Sequence, residues 1–176
     1  IIALMPGVIK PAIDNAVTYH NAKVLLKESS YDEAKEIFSG LGEYRDAETM
    51  VQESQYQKAE NFENEGNYED AIATWKKIIL YSDSKDRISV AKEEWKESDY
   101  QAAQTLMNEK KYADASSAFL ALSDYKDASE KAAECAELQK EVDYQSALSA
   151  VETKDYKTAI SIFKSLKDYK DASELY

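Results

Sequence analysis

Any catalysis in this chain would have to rest on very few residues. There is one histidine, His20, and one cysteine, Cys135, among 176 residues. A lone cysteine excludes an intrachain disulfide and any zinc site built from several thiolates. His20 could act as a general base only beside a reacting partner. In the periodic pattern set out below its counterparts are Gln57, Gln101 and Gln145, so the position reads as simply polar. Cys135 shares an apolar spacing with Ala128, Ala132, Leu138 and Val142. A small buried hydrophobe fits that place better than a nucleophile. The carboxylates scatter at helical surface spacing, without the Asp-rich loop and turn glycine of a calcium site. No glycine-rich phosphate loop occurs, so no catalytic, cofactor-binding or metal-ligating set emerges.

Tyrosine is the abundant reactive side chain, with 13 Tyr against 4 Phe. Its spacing is regular. Tyr19, Tyr56, Tyr100 and Tyr144 are separated by 37, 44 and 44 residues. Tyr31, Tyr68, Tyr112 and Tyr156 keep the same intervals, as do Tyr44, Tyr81, Tyr125 and Tyr169. Within each unit the steps are 12 and then 13. The chain is therefore a fourfold repeat, near 12–43, 44–80, 81–124 and 125–176, with an apolar segment 1–11 ahead of it.

The repeated unit specifies helices. A small residue follows the first tyrosine at Ala22, Ala59, Ala103 and Ala147, and the second at Ala34, Ala71, Ala115 and Ala159. Four residues beyond the latter stand Phe38, Trp75, Phe119 and Phe163, and three further stand Leu41, Ile78, Leu122 and Leu166. That spacing is one helical face. Small residues let two helices approach, and the aromatic fills the next layer. Only 4 Gly and 2 Pro leave little turn material for a many-stranded protein. Asp46, Asp83, Asp127 and Asp171 follow the third tyrosine by two residues and read as N-caps. Ser30 with Glu33, Asp127 with Glu130 and Asp171 with Glu174 have capping-box spacing, and Asn67 and Asp155 are further caps.

The fold class is all-α. Long helices are expected over roughly 12–29, 46–66, 84–110 and 127–154, and short ones over 31–41, 68–80, 112–122 and 156–166. The expected core stripe of the third long helix is Ile88, Ala91, Trp95, Ala102 and Leu106, with Trp75 and Trp95 as core fillers. The change from 37 to 44 inserts seven residues into the long helices, almost two whole turns, so packing stays in register.

Charge narrows the partners. With 22 Lys+Arg against 34 Asp+Glu the net charge is −12, and each half of the chain carries −6. No basic patch exists to hold nucleic acid. The acidic surface either serves solubility or forms a face for a basic segment.

The unit resembles the tetratricopeptide repeat family. Tyr68-Glu69-Asp70-Ala71-Ile72, with Gly66 before it and Trp75 and Ile78 after it, is similar to that family's second-helix signature; Ala22 and Ala59 match its first-helix small residue. The Tyr-Lys-Asp-Ala variant, as in Tyr125-Lys126-Asp127-Ala128, resembles bacterial repeats that in several proteins follow a membrane helix. The resemblance implies a solenoid of antiparallel helix pairs that binds a protein or peptide and is not an enzyme. It implies a groove lined by the first helix of each pair, near Tyr19, Tyr56, Tyr100 and Tyr144, with Glu53, Glu60, Glu63 and Glu97 on the same helices. These tyrosines either meet a ligand or pack between helices. The acids suit a partner of basic character. The apolar run Ile1 to Ile9 is either a short arm packing on the first repeat or the end of a membrane anchor, which agrees with an extracytoplasmic location; the alternative location is cytoplasmic. The alternative is an envelope spacer or self-associating stalk with no specific ligand.

Overall fold

The computed structural model describes the backbone of residues 6–176 and the side chains from Asp14 onward. Of the apolar segment 1–11, residues 1–5 lie outside the described residues, whereas 6–11 belong to the first helix, which starts at Pro6 rather than at 12. Among the described residues no helix is long and apolar enough to cross a membrane.

Eight helices follow one another: α1 Pro6–Lys27, α2 Tyr31–Leu41, α3 Ala47–Asn64, α4 Tyr68–Lys77, α5 Ser84–Asn108, α6 Tyr112–Ala121, α7 Ala128–Glu152 and α8 Tyr156–Leu166. A single 3₁₀ turn, Ala172–Glu174, closes the described chain. The alternation of long and short helices is the one expected. The chain divides into two compact units, residues 1–95 and 96–176, with the division inside α5.

Each repeat has its own hydrophobic cluster. In the first, Ala22 and Ala34 are fully buried beside Phe38; in the second, Ala59 and Ala71 beside Trp75. Ala103 and Ala115 flank Phe119 in the third, and Ala147 and Ala159 flank Phe163 in the fourth. The alanines let the helices close up, and each buried aromatic contributes about 3 kcal/mol of transfer free energy. Tyr19, Tyr100 and Tyr144 lie edge-on to Phe38, Phe119 and Phe163 at 5.5, 5.6 and 5.8 Å. Such aromatic pairs add a further increment to simple burial.

The turns account for every residue with positive φ among the described residues. Ser29, Gly66, Lys110 and Lys154 (φ 62°, 74°, 61° and 64°) end the long helices. Beyond each, an amide reaches back across the last turn: Ser30 N to Leu25 O, Asn67 N to Phe62 O, Lys111 N to Leu106 O and Asp155 N to Ala150 O, at 2.8–2.9 Å. This is the Schellman closure, which demands a left-handed residue. Gly42, Ser123 and Lys167, each at φ 52°, end three of the short helices. Arg45, Ser82, Lys126 and Lys170 sit left-handed between the third tyrosine and its aspartate.

Four expectations are corrected. Asp46, Asp127 and Asp171 stand at helix N-caps, yet none makes a side-chain cap bond; each carboxylate accepts from a tyrosine hydroxyl instead. Ser30 likewise makes no side-chain cap bond, whereas Asn67 and Asp155 accept from Asp70 N and Thr158 N. The fourth helix ends at Lys77 rather than 80. Finally, Trp95 is 38% exposed, and Val142 and Ala102 are exposed as well.

The last correction has a geometrical cause. In α7, Ala128, Ala132 and Cys135 pack with Tyr100 and Phe119, while Tyr144 and Ala147 pack with Phe163. Cys135 and Tyr144 are nine residues apart, two and a half turns, so the two buried faces point in opposite directions. A single stripe drawn along α7 must run onto the solvent side near its middle, where Val142 falls. In α5, Ile88 and Ala91 belong to one cluster and Tyr100 and Ala103 to another.

Candidate functional site

The repeated tyrosines and acids of the sequence converge on one arrangement, formed where a short helix hands over to the next long one. The hydroxyl of the first tyrosine donates to the aspartate of the following turn. Tyr19 reaches Asp46 Oδ1 at 2.5 Å and Tyr56 reaches Asp83 Oδ1 at 2.6 Å. Tyr100 pairs with Asp127, and Tyr144 with Asp171, in the same way. The third tyrosine donates to a glutamate three residues ahead of the first: Tyr81 to Glu53 Oε2 at 2.8 Å, Tyr125 to Glu97 at 2.9 Å and Tyr169 to Glu141 at 2.7 Å. A glutamine side chain on the same helix, Gln57, Gln101 or Gln145, donates to the other oxygen of that glutamate.

The left-handed residue completes the arrangement. Lys126 and Lys170 place their ammonium groups on Glu97 and Glu141. Lys126 also lies 4.9 Å from the centre of the Tyr100 ring and 5.4 Å from that of Tyr125. Lys170 stands likewise over Tyr144 and Tyr169. Cation, carboxylate and two aromatic faces are thus combined in one cluster. The first repeat departs from this, with Ala16 in place of the glutamate and Arg45 over both Tyr19 and Tyr44. In the second, Ser82 replaces the cation.

Electrostatics follow the bonds. The Lys126 ammonium, then the Tyr125 hydroxyl, hold Glu97 well below the usual carboxylate range, at about 2. Lys170 and then Tyr169 do the same for Glu141, also about 2. Tyr19 and Tyr100 hold Asp46 and Asp127 low. The phenols move the other way: burial, then a carboxylate partner, pushes Tyr56 and Tyr81 up to about 12. The Glu141 bond pushes Tyr169 up to about 12. These groups are fixed in their charge states near neutrality and are unsuited to proton transfer there.

The groove candidates of the sequence therefore have these places. Tyr19, Tyr100 and Tyr144 are buried and Tyr56 is half-buried, each with its hydroxyl bonded internally. Glu53 and Glu97 accept from tyrosine. Glu63 is buried and ion-paired with Arg87, whose guanidinium lies 5.2 Å from the Trp75 ring centre. Glu60 is half-buried, and among the described residues its carboxylate carries no hydrogen bond or ion pair. His20 is exposed, and Cys135 is buried, its thiol pushed up by burial. Among the described residues no three His, Cys, Asp or Glu side chains gather as a metal site.

The reading by motif had missed Glu141 and the two lysines. Their signal was present: Glu53, Glu97 and Glu141 each precede the third tyrosine of their unit by 28 residues. Two open clefts border these clusters. One of 520 Å³ is lined by Glu141, Val142, Gln145, Ser146 and Ser149 on α7. One of 370 Å³ is lined by Gln52, Lys77, Ile78, Ile79, Leu80 and Tyr81.

Residues 53–84, which hold the whole second tyrosine frame, match the tetratricopeptide repeat family. A search of curated proteins finds no match.

Proposed function

We infer, starting from a chain that is a tetratricopeptide-like repeat protein of helical hairpins, that it is a non-catalytic docking scaffold for a protein or peptide segment of basic character. Repeats of this family mediate protein–protein interaction in general, and they are typically non-catalytic. The observation that carries the finer reading is the way the polar groups are spent. Phenols, aspartates and glutamates of the frame bind one another and hold the hairpins in register, so they are poor candidates for turnover. Six lysines and one arginine, Lys58, Arg87, Lys111, Lys126, Lys131, Lys140 and Lys170, are committed to acids of the chain itself. A net charge of −12 with a free carboxylate at Glu60 supports a cationic ligand at α3.

The test is calorimetric titration with a lysine-rich peptide and a matched glutamate-rich one. Binding of the lysine-rich peptide alone is expected, weakening as salt rises, and Glu60→Lys is expected to reduce it several-fold. Equal binding of both peptides, or indifference to Glu60→Lys, refutes the reading. The resemblance to bacterial repeats behind a membrane helix, together with the apolar stretch Ile1 to Ile9, supports an extracytoplasmic location. Protease accessibility on intact cells expressing the native gene tests it; protection until lysis refutes it.

A further inference from the structure

The turn after α4 breaks the rule of the other three. Between the core aliphatic and the third tyrosine the chain reads Gly42-Glu43, Ser123-Asp124 and Lys167-Asp168, but Ile79-Leu80 in the second repeat. The first residue of each polar pair takes φ 52°. Ile79 is not among the positive-φ residues, as expected of a β-branched side chain. The helix accordingly stops at Lys77, and Ile78 leaves it with φ −122°. The fold thus forgoes a turn it forms three times elsewhere and gains no burial in exchange. Leu80 is 97% exposed and Ile79 45% exposed. Beside them opens the 370 Å³ cleft, lined also by Gln52, Lys77, Ile78 and Tyr81, the last held by its bond to Glu53.

The rim is different too. Lys76-Lys77 stands where the other repeats have Ser39-Gly40, Leu120-Ala121 and Lys164-Ser165. Both lysines are exposed, and among the described residues neither makes an ion pair. One basic residue would satisfy the carboxyl end of a helix. Lys77 lines the cleft and Lys76 precedes it on the same helix, so on a chain of charge −12 two basic residues stand near one cleft.

We propose that this turn is a docking site for a short peptide segment of a partner protein, carrying two bulky apolar side chains flanked by Asp or Glu. One side chain fills the cleft over Ile78 and the other covers Leu80; the flanking carboxylates meet Lys76 and Lys77. A two-fold contact of this chain centred on the cleft fits poorly, because it would bring Lys76 and Lys77 close to their own counterparts. The site shares the scaffold reading of the chain but neither its surface nor its ligand charge, so failure of the lysine-rich peptide leaves it untouched.

The protein supplies its own control. Ile79→Gly with Leu80→Glu installs the pair of the first repeat and restores the left-handed closure, so the variant folds at least as well. A display library of random 12-residue peptides is selected on the wild-type chain and on this variant. The wild type is expected to enrich peptides with paired apolar residues beside acids. A synthesised winner should lose about tenfold or more in affinity on the double variant, and several-fold on Lys76→Ser with Lys77→Gly. Four results overturn the proposal: no peptide enriched over the variant, basic winners, a wild-type dimer in sedimentation that the variant abolishes, or binding to vesicles of phosphatidylcholine and phosphatidylglycerol that the variant abolishes.

Discussion

The four Schellman turns allow a backbone term to be measured almost free of side-chain effects. A side chain in the left-handed region costs about 1–2 kcal/mol relative to glycine, and glycine's extra freedom in the unfolded chain returns about 0.4–1 kcal/mol of that. Lys110→Gly and Lys154→Gly should therefore each stabilise by about 0.5–1 kcal/mol. Neither lysine forms an ion pair among the described residues, so no contact is lost with the side chain. Gly66→Ala is the reverse experiment. A Cβ at Gly66 would meet nothing within 4 Å, so its effect is purely conformational, a loss of about 0.5–1 kcal/mol. Urea unfolding followed by far-ultraviolet circular dichroism and by tryptophan emission reads all three, the two probes checking that the transition remains a single one. A neutral Gly66→Ala, or a lysine-to-glycine change that destabilises, would show that the closure is not held by left-handed geometry.

Acid should loosen the handover clusters. Glu97 and Glu141 have folded values of about 2 against a reference of 4.5, so their stabilisation is complete above about pH 5 and fades as pH falls toward 2. Glu97→Gln with Glu141→Gln should flatten that acid slope, and an unaltered slope would disprove the assignment. In alkali the sign reverses: Tyr56, Tyr81 and Tyr169 are raised to about 12, so their contribution holds up to pH 10 and is lost between 10 and 12. Absorbance of the phenolate near 295 nm should show these tyrosines titrating late in the folded protein and together with the rest in urea. Tyr81→Phe removes the donor to Glu53 and should cost about 1–2 kcal/mol in urea unfolding. Arg87→Met would leave the buried Glu63 carboxylate without its cation, an expected loss of about 2–3 kcal/mol; a neutral result would mean that Glu63 reaches solvent.

The sequence revealed the repeat and its helices because both depend on local rules. The small residue, the aromatic four places on and the aliphatic three beyond that predict α2 over its observed span, and Trp75, Phe38, Phe119 and Phe163 are all fully buried as expected. What escaped were choices between two good partners for one group. Asp46 could have accepted from the backbone at a helix start, and the sequence favoured that; the tyrosine hydroxyl took it instead. A helix that exchanges one buried face for the opposite one midway also lacks a single period. That is why, in α7, Val142 was misplaced while Cys135 was not. The end of α4 was overrun because Ile79 and Leu80 continue an apolar run whose stop signal is steric rather than compositional.

The two-faced long helix has a mechanical consequence. In α7 the residues between Cys135 and Tyr144 are half-buried at most and belong to neither buried cluster, yet both clusters hang on them. They act as an axle: whatever turns one end turns the other. A single insertion there would rotate the Tyr144 face by about 100° relative to the Cys135 face, whereas seven residues rotate it by only about 20°. An array grown by duplication could therefore lengthen its axles only in near-whole turns, and the heptad that separates the short long-helix from its longer siblings is the smallest addition that spares both faces by closing two turns.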